Sequence, residues 1–216
     1  MALILLVRHA VTDSTGKRLS GSLPGILLSE KGRAQADGLA KRLAGIRLAG
    51  IYASPLERCM ETAEAIARAR NLSVQPVAAL QEVGYGRWTG RPLAQLARTE
   101  LWKRLHGAPS GIRFPDGETL AEVQQRSVAA LREIAGHHAR ATIAAVTHAD
   151  VIRLALAHFA GVHLDLYQRF IVSPASVSAV ALGEGAPRVL RVNDTGTLTD
   201  LVVGRPRHRP TPRRGS

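Results

Sequence analysis

Hydrophobic positions along the chain fall into two patterns. LILLV (3–7) and TIAAVT (142–147) are nearly unbroken apolar runs, which predicts strands buried on both faces of a parallel sheet. AGIYAS (49–54) reads as a third short strand, and VSAVAL (177–182) and RVLRVN (188–193) as two more joined by the turn-rich GEGAP. Four other stretches carry helix signals. Residues 29–45 begin at Ser29 as N-cap with apolar residues at helical spacing, and 54–70 begin at Ser54 with Pro55 at the first helical position. Residues 119–138 open with Thr119 and Glu122 in capping-box spacing, and 149–161 run to Gly161.

Strands and helices alternate, so the pattern predicts an α/β fold with a mostly parallel central sheet and helices on both faces. Ligands of such sheets bind beyond the carboxyl ends of the strands. The two strongest apolar runs lead into histidines, LILLV through Arg8 into His9 and TIAAVT directly into His148, which should meet on one edge of the sheet. Residues 83–118 break the alternation. They are rich in Gly, Pro and aromatics, with one short helix predicted at about 92–105 from Pro92, and read as an insertion that forms a lid over the sheet edge.

Composition narrows the picture little. A chain of 216 residues, 45% hydrophobic and 21% charged, suits a soluble globular protein of one sizeable domain or two small ones. No apolar stretch approaches the roughly 18 residues of a membrane span, and the N-terminus lacks the basic flank of a signal peptide. The single cysteine, Cys59, rules out an internal disulfide, which makes a reducing cytoplasm the simplest location and a buried, inert thiol its expected state. The net charge of +12 invites a nucleic-acid reading, but the tail GRPRHRPTPRRGS (204–216) holds five arginines, leaving +7 on the rest. That tail reads as disordered, with a solvated role favoured over weak RNA or DNA contact. The remaining charge fits a site for an anionic small molecule. Homodimer formation stays open.

The candidate chemistry lies at strand ends and helix starts: Arg8, His9, Arg58, Glu82 and His148. Two arginines can fork onto phosphate oxygens. One neutral imidazole can act as nucleophile, while the other, protonated, stabilises charge on a transferring phosphoryl group. A carboxylic acid can protonate the departing alkoxide. Other histidines read as structural. His137 and His138 lie at a helix end, and His158 and His163 lack metal-ligand spacing. Trp88 and Trp102 are expected to pack the insertion against the sheet.

The stretches LLVRHAVT, SPLERCMETA, LQEVGYGRWTG, FPDGETL and VTHADVIR occur in an order that resembles the histidine phosphatase superfamily, phosphoglycerate mutase-like branch. The similarity runs from residue 3 to about 195 and is strongest to small actinobacterial-type proteins labelled probable phosphatases or phosphomutases. It implies one histidine phosphatase domain over 1–203, with the lid at 83–118 and the tail beyond. His9 would become phosphohistidine, Arg8, Arg58 and His148 would hold the phosphate, and Glu82 would be the proton donor. Thr12, Thr15, Ser20 and Gly21 would line the pocket, and the Ala149 N–H would add a donor at a helix start. No metal and no cofactor are implied. The implied function is a phosphatase acting on phosphomonoesters of small metabolites through His9, with Glu82 first as acid and then as base for water.

Two departures stand out. Ala10 replaces the glycine that usually follows the histidine and would narrow the pocket unless its φ is negative. Thr15 stands where the family often has an asparagine. A phosphomutase, returning the phosphoryl group to a second hydroxyl, shares the first half-reaction, though the short 83–118 segment favours hydrolysis. A catalytically weak phospholigand-binding module is the third reading. Sugar phosphates, nucleotide monophosphates, α-ribazole phosphate and phosphoglycerate derivatives are all candidate substrates.

Overall fold

The computed structural model describes residues 1–196, so the basic tail lies outside the described residues. Its centre is β1 (Ala2–Arg8), whose side chains alternate between two cores. Leu3, Leu5 and Val7 pack with α1 (Glu30–Arg42) and α2 (Glu57–Arg68), whereas Ile4 and Leu6 pack with α5 (Leu120–His137) and α6 (Ala149–Phe159). Burial on both faces is why the run shows no polar alternation.

The sheet has six strands in the order β3-β2-β4-β1-β5-β6, with β2 spanning Gly50–Ala53, β3 Val74–Pro76, β4 Thr142–Thr147, β5 Val177–Leu182 and β6 Arg188–Asp194. Strands β1 to β4 pair in parallel, and β5 and β6 form an antiparallel hairpin beside β1. The predicted fold class is therefore the observed one. Arg8 pairs with Thr147 in register, so the residues that follow, His9 and His148, leave the sheet at the same level.

Three local expectations are corrected. The strand β3 escapes a periodicity reading because it is three residues long at a sheet edge, with Gln75 and Pro76 exposed. Ser54 is not a helix cap: its N–H still donates to Val146 O (2.9 Å), which keeps it in the ladder, and α2 starts at Glu57 after Leu56 without a side-chain cap. The helix expected at 92–105 is two, α3 (Leu93–Leu96) and α4 (Glu100–Gly107). Thr99 divides them, since its hydroxyl donates to Leu96 O (2.7 Å) and accepts from Trp102 N (3.2 Å), closing one helix and capping the next.

Ser29 and the Thr119–Glu122 capping box cap α1 and α5 as expected. Residues of the 83–118 segment, among them Tyr85, Trp88, Leu96 and Phe114, form a third apolar cluster with Val151, Leu154 and Ala157 of α6. The segment thus sits beside the end of the sheet from which both histidines emerge. Among the described residues, no helix is long and apolar enough to cross a membrane.

Candidate active site

His9 begins the loop after β1, and its backbone N–H is held by Thr147 O at 2.9 Å. Its Nδ1 lies 2.8 Å from the Ala10 carbonyl oxygen. A carbonyl only accepts, so Nδ1 carries the proton and Nε2 keeps its lone pair. Burial, reinforced by the Arg58 charge, lowers the pKa of His9 to about 3, and the ring is neutral at ordinary pH. The His9 and His148 rings stand edge to face, 5.2 Å between centroids.

Two guanidinium groups flank this imidazole. Arg58, on the first turn of α2, is 2% exposed; one terminal nitrogen donates to Gly21 O (2.7 Å), while the other, NH1, is buried without a protein acceptor. Arg8 donates through NH1 to Val172 O (2.7 Å), and its buried Nε likewise lacks a protein acceptor. Leaving a buried charged donor unpaired costs about 1–3 kcal/mol or more. Two such donors beside one imidazole mark a place built to receive an anion.

The cavity they line is about 270 Å³ and also takes in Thr12, Thr15, Ser20, Gly21, Glu82 and Ala149. A larger hollow of about 780 Å³ between α1 and α2 contains no histidine. Hydroxyls brace the loop after β1: Thr12 Oγ1 lies 2.9 Å from Ser14 Oγ and 3.0 Å from Thr15 Oγ1, and Ser14 Oγ lies 2.9 Å from Ser20 Oγ. Thr15 Oγ1 also accepts from Thr12 N (2.9 Å). Gly21 has φ of +53°, and an added Cβ would meet Thr89 and Tyr85 side chains at 3.1 Å, so only glycine fits there.

A profile described as the histidine phosphatase superfamily (branch 1) matches residues 4–195. This chain belongs to that superfamily. It is 32% identical over 208 residues to phosphoserine phosphatase 1 of Hydrogenobacter thermophilus, covering 94% of this chain and 97% of the relative. It is also 32% identical over 204 residues to the 2,3-bisphosphoglycerate-dependent phosphoglycerate mutase of Thermoplasma acidophilum, covering 94% and 96%. Among solved structures, Bacillus stearothermophilus YhfR superposes with a TM-score of 0.85 at 28% identity, covering 91% of this chain and 98% of that one.

In this histidine phosphatase the alanine that replaces the usual glycine does not narrow the pocket. Ala10 is fully buried in the apolar core, its φ is not positive, and its N–H donates to Thr62 Oγ1 (3.1 Å). Thr62 in turn donates to Arg58 O (2.7 Å), tying the loop to α2.

His148 differs from expectation in one respect. It lies behind the cavity wall, fully buried at the start of α6, with Nε2 at 2.9 Å from Ser54 Oγ and Nδ1 at 3.8 Å from Glu82 Oε2. Burial, then the Arg58 charge, pushes its pKa well below that of a free imidazole, so it is neutral in the unliganded protein rather than protonated. A bound dianion acts in the opposite direction. Cys59 is buried beside it, Sγ to Nε2 3.4 Å, and burial pushes the thiol pKa up, which leaves it inert as expected.

Sequence reasoning overlooked three cavity residues that form a chain. Tyr85 donates its hydroxyl to Asp150 Oδ2 (2.7 Å), and Arg153 donates to Asp150 Oδ1 (3.0 Å) and to Phe170 O (3.1 Å). Asp150 and Arg153 lie in the first turns of α6, so the helical start after His148 was the signal that could have found them. Burial first, and then the Asp150 charge, raises the pKa of Glu82 to about 7. Activity that needs protonated Glu82 falls as pH rises through that value. Asp150→Asn removes part of the upward push, so the falling limb of the kcat–pH profile is expected to move to lower pH; an unmoved limb contradicts this. Among the described residues, no group of three or more His, Cys, Asp or Glu side chains is arranged to hold a metal ion.

Proposed function

We propose that the protein is a phosphatase that hydrolyses phosphomonoesters of small metabolites through a phosphohistidine on His9, with charge supplied by its arginines rather than a metal. The observation that carries this reading is the neutral His9 with a free Nε2 lone pair, flanked by two buried guanidinium donors without protein acceptors.

In the first step Nε2 of His9 attacks phosphorus in line, while Arg8 Nε and Arg58 NH1 take the phosphoryl oxygens and Glu82 gives its proton to the leaving oxygen. The P–O bond to the alcohol breaks as the N–P bond forms. Glu82, now a carboxylate, then takes a proton from water as the water oxygen attacks phosphorus, which releases inorganic phosphate and restores both residues. His148 stands behind the wall with Nδ1 facing Glu82, and the N–H of Ala149 lies at the start of α6, where the helix dipole favours an anion. Residues 83–118, which bring Tyr85 and Leu93 to the cavity, act as its cover.

The relatives' names supply the first substrates to try, phosphoserine and phosphoglycerates. Arg18 also lines the cavity and, among the described residues, makes no ion pair, so it suits a leaving group with its own acidic substituent. The mutase-named relative makes phosphoryl return to a second hydroxyl the competing outcome. Incubation with labelled phosphoserine or phosphoglycerate in EDTA should give an acid-labile phosphoenzyme on His9 and free phosphate. Label recovered in an added monophosphate acceptor instead of phosphate would replace hydrolysis by mutase chemistry.

A further inference from the structure

Glu82 lies in a stretch without helix or ladder pairing of its own, between a 3₁₀ turn at Ala78–Leu80 and another at Gly86–Trp88. An acid that must meet a leaving oxygen needs its backbone fixed to within a fraction of an ångström. One side chain outside the cavity does most of that fixing. Arg126, on α5, donates through NH1 to Ala79 O (2.8 Å) and Gln81 O (2.9 Å), and through NH2 to Glu82 O (3.1 Å). The same guanidinium forks onto Glu118, Nε to Oε1 at 2.7 Å and NH2 to Oε2 at 2.9 Å. Glu118 Oε2 then accepts from Gly84 N at 2.7 Å. Four backbone groups between residues 79 and 84 are thereby held by one part-buried ion pair.

Gly84 shows how tight the arrangement is, since an added Cβ would meet Glu118 Oε2 at 3.1 Å. Further anchors are Thr147, whose hydroxyl donates to Leu80 O at 2.6 Å from the end of β4, and the Glu118 backbone N–H, which donates to Gly84 O at 2.8 Å. With its backbone held, the Glu82 carboxyl turns to the cavity, where Oε1 accepts from Val83 N (3.1 Å) and Oε2 faces His148. An ordinary exposed ion pair adds little and fixes nothing. Here three guanidinium hydrogen bonds reach the carbonyls of one loop while two more fork onto Glu118, a geometry that lysine cannot reproduce.

We propose that Arg126 and Glu118 are positioning residues for the proton donor: their ion pair clamps residues 79–84 so that the Glu82 carboxyl meets the leaving oxygen. The inference rests on the reading of Glu82 as donor. Neither residue lines the cavity, so neither touches the substrate.

Leaving-group dependence separates positioning from mere stabilisation. An alkyl phosphate needs protonation of its departing alkoxide, whereas p-nitrophenol leaves as a stable phenolate. The full-length protein is assayed in EDTA on both esters, as wild type, Glu82→Gln, Arg126→Gln, Arg126→Lys and Glu118→Gln. Glu82→Gln should lower kcat on the alkyl ester by about 10²–10⁴-fold and act far less on p-nitrophenyl phosphate. Arg126→Gln should show the same preference at about tenfold or more on the alkyl ester, with KM little changed and Arg126→Lys intermediate. If Arg126→Gln does not fold, Glu118→Gln makes the same comparison. Equal losses on both esters, or no loss on either, overturn the inference while leaving the donor reading intact if Glu82→Gln keeps its preference. Glu82→Gln without any preference overturns both.

Discussion

His9→Ala is expected to lower kcat on p-nitrophenyl phosphate in EDTA by about 10⁴-fold or more, the scale seen when a covalent nucleophile is deleted. The size follows from the absence of a substitute in the cavity. The Thr12, Thr15 and Ser20 hydroxyls hydrogen-bond within their own loop or line the wall. Cys59 is buried with its thiol held protonated, and His148 stands behind the wall against Ser54 and Glu82. Removing one imidazole leaves the arginines able to bind phosphate, so KM should change much less than kcat. The phosphoenzyme should vanish with the activity. A His9→Ala protein that turns over at the wild-type rate would end the phosphohistidine account.

Arg58→Gln should lower kcat/KM by about 10³-fold, toward the upper end for loss of one charge-stabilising donor group. Arg58 combines three functions that one glutamine cannot. Its NH1 is one of the two buried guanidinium donors without a protein acceptor, its NH2 holds the loop at Gly21 O, and its charge adds to burial in keeping His9 neutral. Vanadate, which mimics the phosphoryl group in flight, should lose affinity in parallel with kcat/KM. The pH profile gives an independent check. With His9 as the proposed nucleophile, activity needs its neutral form and is expected to rise with pH through the His9 pKa, which burial and the Arg58 charge place at about 3 in the wild type. Loss of the Arg58 charge lets that pKa climb, so the acid limb of kcat/KM should move to higher pH. A limb unchanged in position, or vanadate binding undiminished, would show that Arg58 does not face the phosphoryl group.

Local chemistry was enough to read most of the scaffold and to single out residues, Arg8, His9, Arg58 and Glu82, that the fold brings to one cavity. A run such as LILLV, apolar at every position, has only one good home, a strand covered on both faces, and β1 occupies it. Strand ends then direct attention to the residues that follow, which is why Arg8, His9 and His148 stood out before any contact was known. The capping box at Thr119 and Glu122 involves residues three apart and was legible for the same reason.

What could not be read depends on groups that the chain brings together from a distance. Ser54 looks like a helix cap in its own neighbourhood, yet its partner is His148 across β2 and β4. Arg126 is an unremarked helical arginine until folding places it over the carbonyls of Ala79, Gln81 and Glu82. The protonation states are of the same kind, because the low His9 pKa and the high Glu82 pKa come from burial and from charges on other elements. Periodicity and capping act over a few residues, whereas desolvation and converging hydrogen bonds are properties of the packed chain; residue identity at the strand ends was therefore visible early, and the state in which each residue meets phosphate was decided only by the fold.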